Sequence, residues 1–517
     1  MKKKSTSLTA GLLAVLFVLC TFTSGYSNTH SEKPGDRIAK LKKDSRKKRS
    51  ATLFFPTEPG KSKEHLNQLK SSRKLFDKIP DIAYEKSYDD PKEWKFETGL
   101  GMTKVDSNNF YLFNAFPSYT TKDQTFKAKL NLPLRFATSG FDFRKDDYKT
   151  GTQVLSALNL AYNYITYRRD FSLAGSFREV KEQSMGKGSI MYQYNNSTSY
   201  EDRKGGVDIS MAIQGSSINF LLADITKGGV VGADFNLEVM SLLGEKDSRL
   251  DIPVLKHLFL GFNYGGDFHD KAGVTKIDTV TGAVLVDKGS MNIIDTYLQM
   301  RLFDEPNFNI ELYGDYSKIM KFGSNLMAGV DLNFTSDIGS LSLSAQRRFQ
   351  EGKYLPTYFD GFYETDRFQD LVNVTGRHTL NSKAALLDSL EELQGSTLAQ
   401  AFGELGKQFY VLGAFQKIDK GGFGGELYLV AALPKAIERT SIYGGYYKRN
   451  IQDASEAFTL NQDAYFFGRL DYLLNDFMVF SLSYQQTFAP VRDAANNIID
   501  FTPQKRFQPE LNFIFPL

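Results

Sequence analysis

Residues 308–316 read FNIELYGDY. In an extended chain Phe308, Ile310, Leu312, Gly314 and Tyr316 fall on one face, and Asn309, Glu311, Tyr313 and Asp315 on the other. A period of two is the signature of a β-strand, and faces of such different polarity require two different surroundings. Residues 325–334 repeat the pattern, with Leu326, Ala328, Val330, Leu332 and Phe334 opposed to Asn325, Asp331 and Asn333. Residues 207–211, 341–345 and 478–484 do the same. The alternation begins at Trp94 and continues to Leu517, punctuated by turn-forming stretches.

Composition says what those surroundings are. The chain holds 42 Phe, 27 Tyr and 42 Gly, which suit pleated walls, interface girdles and tight turns. After residue 25 no run approaches the roughly 20 apolar residues of a spanning helix. A mean hydropathy of −0.34 is still compatible with a membrane wall, because every second wall residue faces a polar lumen. The fold predicted is all-β: a transmembrane antiparallel β-barrel of about 16–20 strands over residues 94–517, its apolar face toward outer-membrane lipid.

Residues 1–25 read as a signal peptide: Lys2, Lys3 and Lys4, then an apolar run from Leu8 to Phe22. Cys20 follows a bulky Leu19 where a lipidation signal carries a small residue, so it is expected to leave with the signal. The mature chain then has no thiol for a disulfide, a metal site or a nucleophile. Residues 26–93 are polar and irregular, with KLKKDSRKKRS at 40–50; residues 29–95 hold 18 Lys and Arg against 11 Asp and Glu. They read as a solvated periplasmic arm, open to contact with cell wall or anionic lipid. Stacking aromatics are not interleaved with these charges, which argues against nucleic acid. The arm is also too short to be the globular plug of an energised transporter with 22 strands.

Counting back from a periplasmic C-terminus makes the connection at 475–476 periplasmic and tight, and those at 450–463 and 490–503 external and long. The strand from about Gln408 then rises from the periplasmic side. Residues 383–406 before it carry Leu386, Leu387, Leu390, Leu393, Leu398 and Phe402 at helical spacing, which predicts a helical insertion at the periplasmic mouth or plugging the lumen from below. Carried further, the alternation puts 269–290 on the wrong side unless a strand lies hidden between 354 and 375. The final FQPELNFIFPL, with Phe507, Leu511, Phe513, Phe515 and Leu517 on one face, resembles the C-terminal signature read by barrel-assembly machinery, although it ends in Leu and carries Pro516.

Four pieces in order, WKFETGLGM (94–102), FKAKLNLPLRF (126–136), SMGKGSIMYQYNN (184–196) and LPTYFDGFYETDRF (355–368), resemble an uncharacterised family of bacterial outer-membrane β-barrel, porin-like proteins. The resemblance covers most of residues 94–369. It implies a barrel fold and an outer-membrane location, and supplies no substrate or catalytic residue.

An ionised group facing lipid at the midplane costs about 2 to 4 kcal/mol, so strand charges are expected to point inward. The pore-lining candidates are Asp295, Arg301, Glu311, Asp315, Asp331, Arg348, Arg469 and Asp471. Opposed acidic and basic groups at a constriction order polar solutes; as the plainer alternative, they form a mutually paired inner wall. Residues 354–368 concentrate Tyr354, Tyr358, Phe359, Tyr363, Glu364, Asp366 and Arg367, a constriction if folded inward and an aromatic girdle if not. His30, His65, His257, His269 and His378 include no i, i+4 pair and no HExxH, so neither metal nor other cofactor is expected. A serine beside His257 or His378 is all a hydrolase reading has, and spacing does not support it. The leading expectation is a porin-like channel for passive passage of small polar solutes; the alternative is a surface-exposed structural or binding barrel with an occluded lumen.

Overall fold

The computed structural model describes residues 94–516 except 123–124, 167–170, 214–215, 240–257, 306, 392–394, 407, 420–421 and 495–497. The expected signal peptide (1–25) and basic arm (26–93) lie outside the described residues. Trp94–Val105 pairs antiparallel both with Asn108–Thr120 and with the last strand, Ile498–Pro516, so that Leu100 faces Phe113 on one side and Leu511 on the other. The sheet therefore closes on itself. Phe126–Leu130 and Leu132–Ala137 both pair with Asn108–Thr120 and form one strand interrupted at Asn131, which makes the wall a closed antiparallel barrel of 20 strands.

The burial of Phe308–Ile319 follows the pattern read from its sequence. Glu311, Tyr313, Asp315, Ser317 and Ile319 are buried; Leu312, Gly314 and Tyr316 are exposed. Around the barrel the outward positions include Leu100, Phe113, Phe262, Leu298, Leu326 and Phe480, all exposed. A barrel apolar outside and polar inside is matched to hydrocarbon around it, and closure leaves no unpaired strand edge facing that medium. Among the described residues no helix is long and apolar enough to cross a membrane. Inside, the Tyr313 ring lies across Gly329 on the next strand, where a Cβ would come within 2.3 Å of it.

Three pairings skip a stretch of chain. Phe171–Arg178 pairs with Gly206–Ile213, Leu258–Asp267 with Met291–Glu305, and Gly339–Gly352 with Ser396–Leu405. The skipped stretches, 179–205, 268–290 and 353–395, all leave the wall at the end opposite residues 94 and 516, as do 138–157 and 452–463. At the end carrying residues 94 and 516 the turns at 337–338, 438–439 and 476–477 are tight. The connection 239–257, also at that end, lies mostly outside the described residues.

Three expectations are corrected. The helix predicted over 383–406 is only Lys383–Ser389, started by Ser382 Oγ accepting from Ala385 N and ended at Leu390, which is extended. Ser396–Leu405 is a wall strand with Ser396 and Leu398 buried. It is the strand that the topology lacked, and it returns 268–290 and Lys383–Ser389 to the same end, so this helix is not at the end that carries residues 94 and 516. Between 354 and 375 there is no wall strand; Gln369–Val372 begins a small separate hairpin with His378–Asn381. Residues 490–503 are not one long loop, because Pro490 pairs with Phe501 and Phe488 with Pro503 as the two strands continue past the rim.

Candidate functional site

Two of the skipped stretches turn inward. In 179–205 a short hairpin, Gln183–Met185 with Met191–Tyr194, carries the tip 186–190 into the lumen. Met185, Ile190, Met191 and Tyr194 have no exposed surface, so this segment has an apolar core of its own. Asn196 fixes its root, accepting from Val180 N (3.0 Å) and donating to the Ala223 carbonyl (2.6 Å). Gly186 at the tip has φ +59°, and a Cβ there would meet the Asn263 amide at 2.1 Å. Only glycine suits both the backbone and the space.

The second insert is 353–368, with one helical turn at Tyr363–Asp366. It lies along the first through backbone hydrogen bonds, Thr357 N to Ser189 O, Phe359 N to Ile190 O and Tyr192 N to Phe359 O, each 3.0 Å. Thr198 Oγ1 donates to the Gly361 carbonyl at 2.6 Å. Tyr354, Tyr358, Phe359 and Tyr363 complete a buried cluster with the hairpin and with Leu221, Val230 and Ile293 of the wall. The two inserts are one plug. It fills the half of the lumen toward the long connections: Gln346, Arg348 and Gln350 are buried, while Ser342 and Ser344 of the same strand, nearer the other end, are half-buried.

The seat of this plug is apolar where Phe362 joins Leu398, Leu412, Val430 and Phe488, and polar elsewhere. Lys187 Nζ lies 3.0 Å from Asp331 and over the Tyr313 ring, and Ser189 Oγ donates to Asp315 at 2.5 Å. Gln346 donates to Lys187 O, and Tyr192 to Gln400. Arg367 grips Asp267 with Nε and Nη2 at 2.7 and 2.9 Å, and Tyr363 donates to the same carboxylate. Lys383 pairs with Asp360, Arg449 with Asp366, and Lys204 with Glu364 at 2.5 Å. Across the lumen Tyr200 of the first insert is stacked with the guanidiniums of Arg203 (4.0 Å) and Arg506 (3.3 Å) and accepts from Arg135 at 2.7 Å. Burial alone would raise the Glu364 carboxyl, but Arg367 and Lys204 beside it hold it down at about 2. Such buried pairs add little net stability, yet removing one partner costs about 3 to 5 kcal/mol.

Of the residues singled out in the sequence, Asp295, Asp315, Asp331 and Arg348 come together beneath the plug tip. Arg348 donates to Gln416, Gln346 and the Gly188 carbonyl. Arg301 pairs with Glu311 at 2.8 Å, closer to the end carrying residues 94 and 516. Arg469 and Asp471 form a separate group with Ser481 and Glu510 on another arc of the wall. Tyr363, Glu364, Asp366 and Arg367 belong to the plug. Sequence reasoning missed Lys187, Ser189, Tyr200, Arg135, Asp267 and Arg506. The available signal was 179–205 itself, too long for a turn between two alternating segments and without a period of its own.

No family model and no curated protein sequence matches this chain. Among solved structures it is similar to the ferric enterobactin receptor PfeA in complex with BCV-L6, at 8% identity over 82% of each chain and a TM-score of 0.35. It is also similar to a PfeA mutant from Pseudomonas aeruginosa, at 8% identity over 82% of this chain and 81% of that one, TM-score 0.33. A Rhodopseudomonas blastica porin triple mutant matches at 8% identity over 82% and 99%, TM-score 0.27. Likeness at this level says nothing of what this lumen carries.

Proposed function

We propose that the chain is an outer-membrane channel for small polar solutes, held shut in the described state by its two inserts. The observation that carries this reading is the polar part of the plug's seat. A filler needed only for stability is best made of apolar side chains, whereas ion pairs and hydrogen bonds to the wall can be exchanged for water when the plug moves. A wall of 20 strands is also wide enough for an aqueous path once the inserts are displaced. In this reading the long connections face outward, residues 94 and 516 face the periplasm with the basic arm, and the outward Phe507, Phe513 and Phe515 of the last strand meet lipid and the assembly machinery. The inward charges from Asp295 to Asp471 line the path.

The test is single-channel conductance of refolded protein in planar bilayers, intact and with 180–204 replaced by a two-residue Asn-Gly turn. Arg178 and Gly206 are already paired across neighbouring strands, so the wall survives this excision. Silence or brief openings in the intact protein and stable steps in the variant are expected. Silence in both, with folded barrels, sinks the channel reading and favours a closed barrel that works through its outward connections. That second reading has its own observation: Val284, Leu285 and Val286 stand exposed in a row on the hairpin strand Val284–Asp287.

A further inference from the structure

Phe362 and Asp366 bracket the helical turn of the second insert, Asp366 N donating to the Phe362 carbonyl at 3.1 Å. Phe362 has no exposed surface. Its ring lies 4.8 Å from that of Tyr447 and 5.7 Å, edge to face, from that of Phe488, among Leu412 and Val430. The Arg449 guanidinium stands over the same ring at 4.4 Å and pairs with the Asp366 carboxylate. One wall cation thus meets a ring and a carboxylate together.

The groups that receive them belong to the barrel and are held there by the barrel. Tyr447 and Arg449 are two apart on Thr440–Ile451, Tyr428 of the next strand sets the Tyr447 ring edge to face at 5.6 Å, and Asp463 holds Arg449 Nε at 3.5 Å while Asp366 takes Nη1. When the insert leaves, Arg449 loses a carboxylate and an apolar hollow opens beside it. A cation without its partner and bare aromatic surface are both unfavourable, and a solute that carries a ring and a carboxylate answers both. The ion pair is also the accessible part of the contact: the Arg449 side chain keeps 29% of its surface and that of Asp366 16%, so a solute meets the charges before the buried ring. We infer that Arg449, Tyr447 and Phe488 form a site for a small aromatic carboxylate, which Phe362 and Asp366 occupy in the closed state, and that such a solute opens the plug by displacing them. The inference rests on the channel reading for its use, naming the class of solute and the means of opening; binding and displacement are measured without conduction.

The test is equilibrium dialysis of labelled benzoate against full-length protein in detergent, with empty micelles as the blank. Saturable binding is expected, lost in Arg449→Gln and not competed by acetate, which has no ring, or by benzyl alcohol, which has no charge. Because the plug competes for the site, Phe362→Ala is expected to bind benzoate about 10-fold more tightly than the wild type. Equal or weaker binding by this variant, or wild-type binding that Arg449→Gln leaves unchanged, overturns the site. Should Phe362→Ala fail to fold, Asp366→Asn removes the other half of the contact and carries the same expectation. Hydrogen exchange reads the displacement: benzoate speeds exchange of the amides of residues 357–366, and unchanged or slower exchange overturns it. Benzoate binding combined with silence of the barrel lacking 180–204 removes the channel reading and supports the site; conductance by that variant without benzoate binding to the intact protein does the reverse.

Discussion

Glu364 is the residue whose chemistry is most tightly set by its place. It accepts from Tyr194 and from Lys204, and Arg367 lies 3.4 Å away. Its folded carboxyl is held at about 2, against an ordinary value near 4.5. A carboxyl depressed in the folded state binds protons more tightly once the plug opens. Its contribution, on the order of 3 kcal/mol, is fully present above the ordinary value and is lost as pH falls from about 4.5 toward 2. Protease accessibility of the plug is therefore expected to rise as pH drops through this window, and Glu364→Gln should flatten that component of the profile. An unchanged wild-type profile between pH 6 and 3 would contradict the assignment.

Individual strands answer to the medium around them. Leu312 stands outward and exposed between the inward Glu311 and Tyr313. Leu312→Arg, near mid-strand, is expected to destabilise the barrel by about 2 to 4 kcal/mol in urea unfolding from phospholipid vesicles, and by much less if water rather than lipid covers this face. The same alternation made these strands legible in the sequence, because one side chain in two reports its surroundings. It failed at 383–406 for a definite reason. Leu386, Leu387, Leu390 and Leu393 suit a helix, while Leu398 and Phe402, four apart, satisfy both a helical face and every second position pair of a strand. Only the pairing of Ser344 with Gln400 and of Leu343 with Ala401 separates the two readings, and pairing is not local. The plug was illegible for the same reason. SMGKGSIMYQYNN has neither period, and its partners Asp315, Arg348, Phe359 and Gln400 lie far along the chain.

At the scale of the whole molecule, the strand that closes the wall also meets the plug. Ile498–Pro516 closes the barrel against Trp94–Val105 and also supplies Arg506, which stacks on Tyr200 of the first insert. The earliest insert is thus expected to settle only once the latest strand is in place. In a refolding time course, the electrophoretic shift that marks a closed barrel and protease protection of residues 184–202 are expected to rise at one rate; protection that precedes closure would contradict this order. An unfinished barrel is then also an unplugged one, and completing the wall is the same event that fills its lumen.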